Sequence, residues 1–321
     1  MLKMEAVLLG KSDIKITPIG LGTWQFSEGR AGAIGQWAPV SKDNTNKIIQ
    51  EAFSGGINWF DTAEIYGRGR SEKALSIGLR NIGVEDGNVV IATKWFPLFR
   101  LSSSLEKTFK DRQEALFPYH IDLHQIHFPG SLSSIKKQAD ALANLMEEGL
   151  IKAAGVSNFS AAQMTTVHEQ LSKRGFSLST NQVAYSLLNR HIESNGILNQ
   201  AKELGITIIA YSPLEMGLLT GKFHQESDLI NNRPIARRAK LKSKLKQSQE
   251  LISALSKIAE KHQATISQVA LNWIISYNRG KVVAIPGASK PKHAKESAGA
   301  MSFQLDEHEI GYLDSLSQKF T

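Results

Sequence analysis

The sequence predicts a (β/α)8 barrel, because two kinds of segment alternate regularly along its 321 residues. Eight short runs are rich in β-branched and other apolar residues, as expected of buried strands. Longer stretches with apolar residues at helical spacing separate them, as in residues 132–148. The candidate strands are residues 19–22, 57–61, 89–94, 121–127, 153–157, 179–183, 206–211 and 282–286.

A doubly wound open sheet is the structural rival, and it predicts a glycine-rich phosphate motif that opens a helix. Gly20-Leu21-Gly22 lacks the third glycine of that motif, and so does Gly67-Arg68-Gly69. A P-loop is missing as well, because residues 217–222 are followed by Phe223 where the motif needs Ser or Thr. The closed barrel is therefore preferred, and any nucleotide must be held by another device.

Three segments interrupt the alternation. Residues 5–17 predict a β-hairpin that closes the barrel bottom, and residues 306–320 predict a last helix after the barrel. Residues 26–40 form a long glycine-rich loop after the first strand, and residues 212–247 form a long basic connection after the seventh. Long loops at this face of a barrel usually carry substrate and cofactor contacts. We expect residues 1–321 to form one domain.

The composition is ordinary for a globular protein, with 41% hydrophobic and 21% charged residues. The chain has no cysteine, which excludes disulfides, thiolate metal sites and cysteine nucleophiles. The N-terminal residues contain no apolar core of a signal peptide, and no run approaches the roughly 18 apolar residues of a membrane span. A cytoplasmic protein without a membrane partner is therefore expected.

The net charge of the chain is +8. A solvated basic surface and attraction for an anionic ligand explain this balance equally well. Nucleic acid is not expected as a partner, because no stretch interleaves aromatic residues with Lys and Arg as single-strand binders do.

Four polar residues lie where candidate strands end. Asp61, Lys94 and His127 each end an apolar run, and Tyr66 follows in the loop after Asp61. The C-terminal ends of barrel strands meet at one pole, so these side chains should converge there. A tyrosine with a pKa near ~10 becomes a better acid when an ammonium beside it lowers that pKa. A carboxylate can hold the ammonium, and a histidine can orient a carbonyl, so the four residues predict a proton-donating site.

A metal site is the competing interpretation of one segment. His120, His124 and His127 are close enough in sequence to suggest zinc. In a strand, however, His124 and His127 have opposite parity and point to opposite faces. We therefore expect no metal here and a packing role for His124.

These motifs resemble the aldo-keto reductase family, whose branches include the potassium-channel β subunits. The similarity extends from about residue 9 to residue 316. The resemblance implies that Tyr66 is the acid, that Asp61 and Lys94 support it, and that His127 positions the carbonyl. The segments that carry it are residues 53–72, 91–94, 122–129, 155–159, 181–185, 210–214 and 285–290.

The resemblance also implies a nicotinamide cofactor. Polar side chains after two strands would bind its carboxamide, Tyr211 would stack on its ring, and a flap would cover its pyrophosphate. The flap would carry Lys222, Arg233 and either Arg237 or Arg238, whereas the lysines at 240–246 predict a solvated helix face. The implied cofactor residues are Thr23, Trp24, Ser157, Asn158, Gln182, Tyr211, Ser212, Pro213, Leu214, Gly217, Lys222, Arg233, Gly287, Ser289, Lys290, His293 and Glu296.

The adenosine end of this implied site bears on cofactor preference. Lys290, His293 and Glu296 fit the family's adenosine segment, and a cation there favours NADPH over NADH because it can pair with the 2′-phosphate. The family often has an arginine near position 293 and an asparagine after the glutamate, where this chain has His293 and Ser297.

The activity implied by the resemblance is NADPH-dependent reduction of an aldehyde or ketone, with hydride from the nicotinamide and a proton from Tyr66. The alternative is a cofactor-binding, redox-sensing regulatory subunit with little turnover, as in the potassium-channel β subunits. Trp24, Trp37, Trp95 and Phe96 predict an apolar or aromatic wall for the substrate; the alternative is that half of them belong to the core.

Overall fold

A parallel β-sheet forms the centre of the molecule. The computed structural model describes residues 4–27, 40–232 and 235–321. Within these ranges eight parallel strands follow one another in chain order, after a two-stranded antiparallel hairpin. Every predicted strand is confirmed, with ends that differ by at most two residues. The strands are β1 (Val7–Leu8), β2 (Lys15–Ile16), β3 (Leu21–Gly22), β4 (Trp59–Asp61), β5 (Val90–Trp95), β6 (Leu123–Ile126), β7 (Ala153–Ser157), β8 (Leu178–Ala184), β9 (Thr207–Tyr211) and β10 (Val282–Ala284).

The sheet closes on itself where the first barrel strand meets the last. Ile19 bridges Ala284 and Gly22 bridges Gly287, both in parallel orientation. The backbone N–H of Gly22 also donates to Pro286 O at 3.1 Å. The predicted barrel is therefore confirmed, and closure places the C-terminal ends of its strands around one rim.

The hairpin of β1 and β2 covers the opposite end of the barrel. Leu9, Ile14 and Ile16 share a buried cluster with inward-facing residues of the barrel strands. The backbone N–H of Gly10 donates at 2.8 Å to the hydroxyl of Thr207, the first residue of β9. The hairpin that the sequence predicts at the barrel bottom is thus confirmed, and it seals the interior from below.

Helices separate the strands and bury their apolar faces in the main hydrophobic cluster. Among the described residues, none of the helices combines the length and apolar character that a membrane crossing requires. The helices are α1 (Lys42–Ser54), α2 (Arg70–Asn81), α3 (Ser103–Lys107), α4 (Phe109–Leu116), α5 (Ile135–Glu147), α6 (Ala161–Ser172), α7 (Ile197–Leu204), α8 (Lys222–Gln225), α9 (Ile235–Gln247), α10 (Gln249–Lys261), α11 (Ile266–Tyr277), α12 (Pro291–Gly299) and α13 (Glu307–Ser317).

Two helix boundaries show how side chains decide where a helix begins. The helix predicted over residues 132–148 begins only at Ile135, because the Ser134 hydroxyl caps it by accepting the Lys137 N–H at 3.4 Å. The predicted last helix is α13, which begins after Asp306. The Asp306 carboxylate accepts the Glu309 N–H at 2.8 Å, and the Glu309 side chain binds back to the Asp306 N–H.

Gly10 tests how tightly the hairpin is seated against the barrel. Its φ is 62°, and a Cβ at this position would lie 2.5 Å from Ser179 O. Gly149 has a similar φ of 67°, but a Cβ there would meet no described atom within 4 Å. Gly10→Ala should lower the free energy of unfolding by about 1–3 kcal/mol more than Gly149→Ala, because only Gly10→Ala adds a clash to the backbone strain.

Chemical denaturation of both variants, followed by circular dichroism, measures this difference. Equal losses of stability in the two variants would contradict a close seat of the hairpin on Ser179.

Candidate active site

The four residues of the predicted proton donor meet at the open end of the barrel. Asp61 ends β4, Lys94 lies near the end of β5, His127 follows β6, and Tyr66 lies on the loop between β4 and α2. The Lys94 ammonium binds Asp61 Oδ1 and donates to the Tyr66 hydroxyl at 3.4 Å. The rings of Tyr66 and His127 meet edge to face with centroids 5.7 Å apart. The structure therefore brings all four together, although they are spread over residues 61–127.

Strand alternation explains why these side chains face the interior. Trp59, Ala92 and Leu123 belong to the buried cluster inside the barrel. The residues two positions further along the same strands point the same way and end the interior with polar groups. They are Asp61, Lys94 and Gln125.

Three donors hold the buried Asp61 carboxylate. Lys94 binds one oxygen, while Gln125 Nε2 and Gln182 Nε2 donate to Oδ2 at 3.1 and 2.8 Å. Gln182 was expected from the sequence only as a cofactor residue, and Gln125 was not expected at all. Its place on β6, two residues before His127, is the signal that could identify it, because residues two apart in an extended segment face the same way.

Burial and charge act in opposite directions on the Tyr66 phenol. Burial raises the pKa of Tyr66 and the Lys94 ammonium lowers it, and burial prevails, so the pKa lies above its usual value. Burial lowers the pKa of Lys94, but Asp61 and Tyr66 together raise it by more, so the pKa of Lys94 also lies above its usual value. The sequence predicts a lowered pKa for Tyr66, and this prediction is wrong. The degree of burial depends on the tertiary structure, so the sequence does not show that burial outweighs the effect of Lys94. At neutral pH the site holds a charged lysine and a protonated phenol.

His127 is a neutral imidazole in this setting. Burial and the positive charge of Lys94 lower its pKa to about 3. Its Nδ1 is buried and has no hydrogen-bond partner within the part of the chain that the structure describes. A neutral ring beside Tyr66 can orient a polar group through a hydrogen bond.

His124 lies on the other face of β6, as its parity predicts. Its ring packs edge-on against Phe109 of α4, with centroids 5.3 Å apart. Burial, together with the Arg112 charge, lowers its pKa to about 3. Across residues 4–27, 40–232 and 235–321, no group of three or more His, Asp or Glu side chains is placed to hold a metal ion.

A cleft of about 620 Å³ opens above Tyr66 and His127. Lys290 does not line it but lies exposed at the start of α12. Arg233 and Trp37 are outside the described residues, as is the side chain of Arg237. The expected cofactor residues that do line the cleft are Thr23, Trp24, Ser157, Asn158, Gln182, Tyr211, Ser212, Pro213, Leu214, Gly217, Lys222, Gly287, Ser289, His293 and Glu296.

Further residues line the same cleft without having been expected from the sequence. Most of them are neighbours in sequence of the expected residues, as Gly22 is of Thr23 and Pro286 is of Gly287. They are Gly22, Gln25, Met216, Thr220, Ser267, Ile285, Pro286 and Ser297.

A directed chain of hydrogen bonds borders the cleft next to the four residues. The Tyr211 hydroxyl donates to Asn158 Oδ1 at 3.0 Å, and Asn158 Nδ2 donates to Ser157 Oγ at 3.0 Å. The Ser157 hydroxyl in turn donates to Gln182 O at 2.9 Å. Asn158 has a φ of 59°, an uncommon conformation that Asn tolerates better than most residues. These hydrogen bonds therefore fix the orientation of the Asn158 side-chain amide.

Aromatic rings form one wall beside Tyr66 and His127. Trp24 lies 6.2 Å from Tyr66, and Phe96 lies 5.9 Å from His127 and 5.1 Å from Phe128, measured between ring centroids. These rings agree with the predicted aromatic wall.

Trp95 was expected in this wall but is part of the core. It follows Lys94 on β5 and so points outward, where its Nε1 lies 3.2 Å from Ser104 Oγ of α3. Its side chain is 1% exposed.

The far end of the cleft carries basic groups. Lys222 and His293 line it together with Ser289 and Glu296. Burial lowers the pKa of His293; Glu296 opposes this shift, and neighbouring lysines add to it. The imidazole is therefore neutral at neutral pH, and lysines supply the positive charge at this end.

The basic helix α9 differs from its predicted role at one lysine. Lys244 was expected to be solvated, but its ammonium donates to Glu215 Oε1 at 2.9 Å and to Leu188 O at 2.8 Å. Glu215 and Met216 have φ values of 43° and 55°, in a turn where Met216 lines the cleft. Lys244 thus connects α9 to the turn beside the cleft. Its position in a run of lysines does not reveal this contact.

Comparison with known proteins agrees with this geometry. The model of the aldo/keto reductase family matches residues 18–318. The chain is 32% identical over 311 residues to the chloroplastic pyridoxal reductase of Arabidopsis thaliana, covering 92% of this chain and 82% of that protein.

Solved structures show the same similarity. The glycerol dehydrogenase of Gluconobacter oxydans has a TM-score of 0.81 and 28% identity, covering 99% of this chain and 96% of that one. An aldo-keto reductase of Klebsiella pneumoniae in complex with NADPH has a TM-score of 0.73 and 25% identity, covering 100% of this chain and 98% of that one. With its barrel, its rim of Asp, Tyr, Lys and His, and its family match, the chain belongs to the aldo/keto reductase family and is an NAD(P)H-dependent oxidoreductase.

Proposed function

We propose that the protein reduces an aldehyde or ketone with NADPH and that Tyr66 donates the proton to the carbonyl oxygen. One observation carries this proposal. The Lys94 ammonium binds Asp61 and donates to the Tyr66 hydroxyl at 3.4 Å, while Tyr66 and His127 both line the cleft. A carbonyl oxygen that enters beside these two residues meets a protonated phenol and a neutral imidazole.

The roles of the four residues follow from their charges. As Tyr66 gives up its proton, the adjacent Lys94 ammonium stabilises the phenolate that forms. Asp61 keeps that ammonium charged and in place, since its carboxylate is itself held by Gln125 and Gln182. His127 orients the carbonyl oxygen, because its ring lies against Tyr66 and remains neutral.

The chemistry of the cleft fits a nicotinamide dinucleotide. Polar groups of Ser157, Asn158 and Gln182 lie near Tyr66 and suit a carboxamide, and the flat ring of Tyr211 suits stacking. Lysines gather at the other end, where a phosphorylated adenosine would be favoured. Bound NADPH would supply the hydride to the carbonyl carbon.

The wall beside Tyr66 supports a class of substrate. Similar proteins bear the names pyridoxal reductase and glycerol dehydrogenase. In this chain the Trp24 ring lies beside Tyr66, and the rings of Phe96 and Phe128 lie edge-on to His127. An uncharged carbonyl compound with an aromatic or apolar body is therefore the substrate we propose.

We also propose that residues 1–321 act as one unit in the cytoplasm. The main buried cluster includes residues from Ile19 to Phe320, which supports a single unit. The cysteine-free sequence suits a reducing compartment.

Removal of the Tyr66 hydroxyl tests the proton donor. Tyr66→Phe should lower kcat for NADPH-dependent reduction of 4-nitrobenzaldehyde by about 10²- to 10⁴-fold, because general acid catalysis is lost while the ring is kept. The dissociation constant of NADPH, measured by quenching of tryptophan fluorescence, should change little. Tyr312→Phe, at an exposed tyrosine of α13, serves as the control and should keep full activity.

Near-native reduction by Tyr66→Phe would refute Tyr66 as the acid. Negligible turnover of the wild type with tight NADPH binding would instead support the regulatory alternative.

The pH dependence of reduction should be level through the neutral range. The phenol must be protonated to act, and its pKa is raised, so activity should fall only as pH rises above about 10. His127, with a pKa of about 3, should not titrate above about pH 5. Initial rates give kcat/KM for the aldehyde between about pH 5 and 9. A limb near pH 6.5 that disappears in His127→Gln would contradict the neutral, buried imidazole.

Cofactor preference should depend on the lysine at the start of α12. Lys290→Met should raise the dissociation constant of NADPH by about 5- to 20-fold, because one ion pair with the 2′-phosphate is lost, and that of NADH less than about 2-fold. Fluorescence titration measures both constants. Lys295→Met, an exposed lysine of the same helix, is the matched control. Equal weakening of NADPH and NADH by Lys290→Met would contradict a 2′-phosphate contact.

A further inference from the structure

Glu64 is a buried carboxylate that lies two residues before Tyr66 and belongs to neither the cleft nor the four-residue site. The residue is 8% exposed. Its Oε1 accepts from the Phe96 N–H and from the Arg100 guanidinium, and its Oε2 accepts from Arg112 Nη1 at 2.6 Å. A carboxylate with this many charged and backbone partners holds its surroundings in one arrangement.

The partners of Glu64 connect the loop that carries Tyr66 to the strand that carries Lys94. The backbone N–H of Glu64 donates to Lys94 O at 3.2 Å, and its side chain accepts the N–H of Phe96, two residues further on. The loop is therefore fastened to β5 on both sides of Trp95. The separation between the Tyr66 hydroxyl and the Lys94 ammonium depends on this fastening, because the two residues are carried by these two segments.

The same network reaches the aromatic wall. Arg100 Nη1 donates to Phe96 O at 3.0 Å, and Arg100 Nη2 donates to Thr108 Oγ1 at 2.9 Å. Glu64 and Arg100 together thus bind both backbone polar groups of Phe96. The Phe96 ring lies edge-on to His127 and Phe128, so its position shapes the space beside the imidazole.

A second carboxylate extends the network to α2 and β5. Arg112 forms an ion pair with Glu72 at 2.9 Å, and Glu72 Oε1 accepts from the Thr93 hydroxyl at 2.6 Å. Arg112 therefore joins Glu64, on the Tyr66 loop, to Glu72, near the start of α2. Because Arg100 and Arg112 both bind Glu64, a neutral side chain at position 64 would leave two guanidinium groups with one remaining carboxylate, that of Glu72.

We propose that Glu64 is a positioning residue for carbonyl reduction, whose carboxylate holds Tyr66 in register with Lys94 and Phe96 in place beside His127. This inference rests on the proposed function of Tyr66. Displacement of a reacting group by about 1 Å can lower a rate by about 100-fold, so the network acts on the chemical step without touching the substrate.

Glu64→Gln tests the inference, because it keeps the shape and one acceptor for the Phe96 N–H but removes the charge. With 4-nitrobenzaldehyde and NADPH, kcat should fall by about 10- to 100-fold. The NADPH dissociation constant should change less than about 2-fold, since the cleft residues that bind it are elsewhere. Glu64→Asp, which keeps the charge on a shorter side chain, should lose less activity than Glu64→Gln and serves if Glu64→Gln does not fold.

Glu193→Gln is the matched control for loss of a paired carboxylate. Glu193 binds Arg190 at 2.6 Å and the Tyr185 hydroxyl at 2.6 Å, away from the four-residue site. This variant should lower the melting temperature but leave kcat within about 2-fold, because its network does not hold Tyr66.

A double variant separates a positioning role from a merely structural one. In the Tyr66→Phe background, Glu64→Gln should cause no further loss in single-turnover rate, because both residues act on one step. Independent, multiplicative losses would overturn the inference, as would an active wild type whose Glu64→Gln variant keeps kcat within about 2-fold. A wild type that fails to reduce the aldehyde would instead refute the proposed function.

Discussion

A lysine ammonium with no solvent exposure lies at the end of the barrel interior, and much of the site is arranged around its charge. An ion removed from water costs several kcal/mol unless partners replace the lost solvation. Lys94 finds them in the Asp61 carboxylate, the Thr62 carbonyl at 2.8 Å and the Tyr66 hydroxyl. The interior consequently has an apolar half next to the hairpin and a polar half next to the cleft. Because the charges are held by protein rather than by water, they are already oriented toward the place where a phenolate would form.

The loops around this charge are held by polar contacts rather than by apolar packing alone. On one side Glu64 and two arginines fasten the Tyr66 loop to β5. On the other side Tyr211, Asn158 and Ser157 form a hydrogen-bond chain with one direction. The cleft has Tyr66 and His127 at one end and Lys222 with His293 at the other. The rim thus separates the end with the four charged and polar residues from a basic end, and this arrangement suits a long cofactor with its reactive ring at one end and phosphates at the other.

Several features of the site could be predicted because they depend on local spacing. The two-residue period of a strand correctly assigns His124 to packing, and it would have assigned Gln125 to the interior and Trp95 to the core. Other features could not be predicted in this way. The run of basic residues in α9 does not mark Lys244, since its partner Glu215 lies 29 residues away and takes an unusual backbone conformation. Nor does the sequence show that burial outweighs Lys94 in its effect on the Tyr66 pKa.

The sequence by itself determined the order of strands and helices, the closed barrel and the identity of the polar residues at its rim. These depend on periodicity and on motifs within short segments, which are present in the unfolded chain. Only the tertiary structure decided which residues form ion pairs, how deeply each residue is buried and which hydrogen bonds hold the loops to the strands. Those properties exist only after β3 meets β10. Closure places Gln182 Nε2 at 2.8 Å from Asp61 Oδ2, although the two residues are 121 positions apart in sequence.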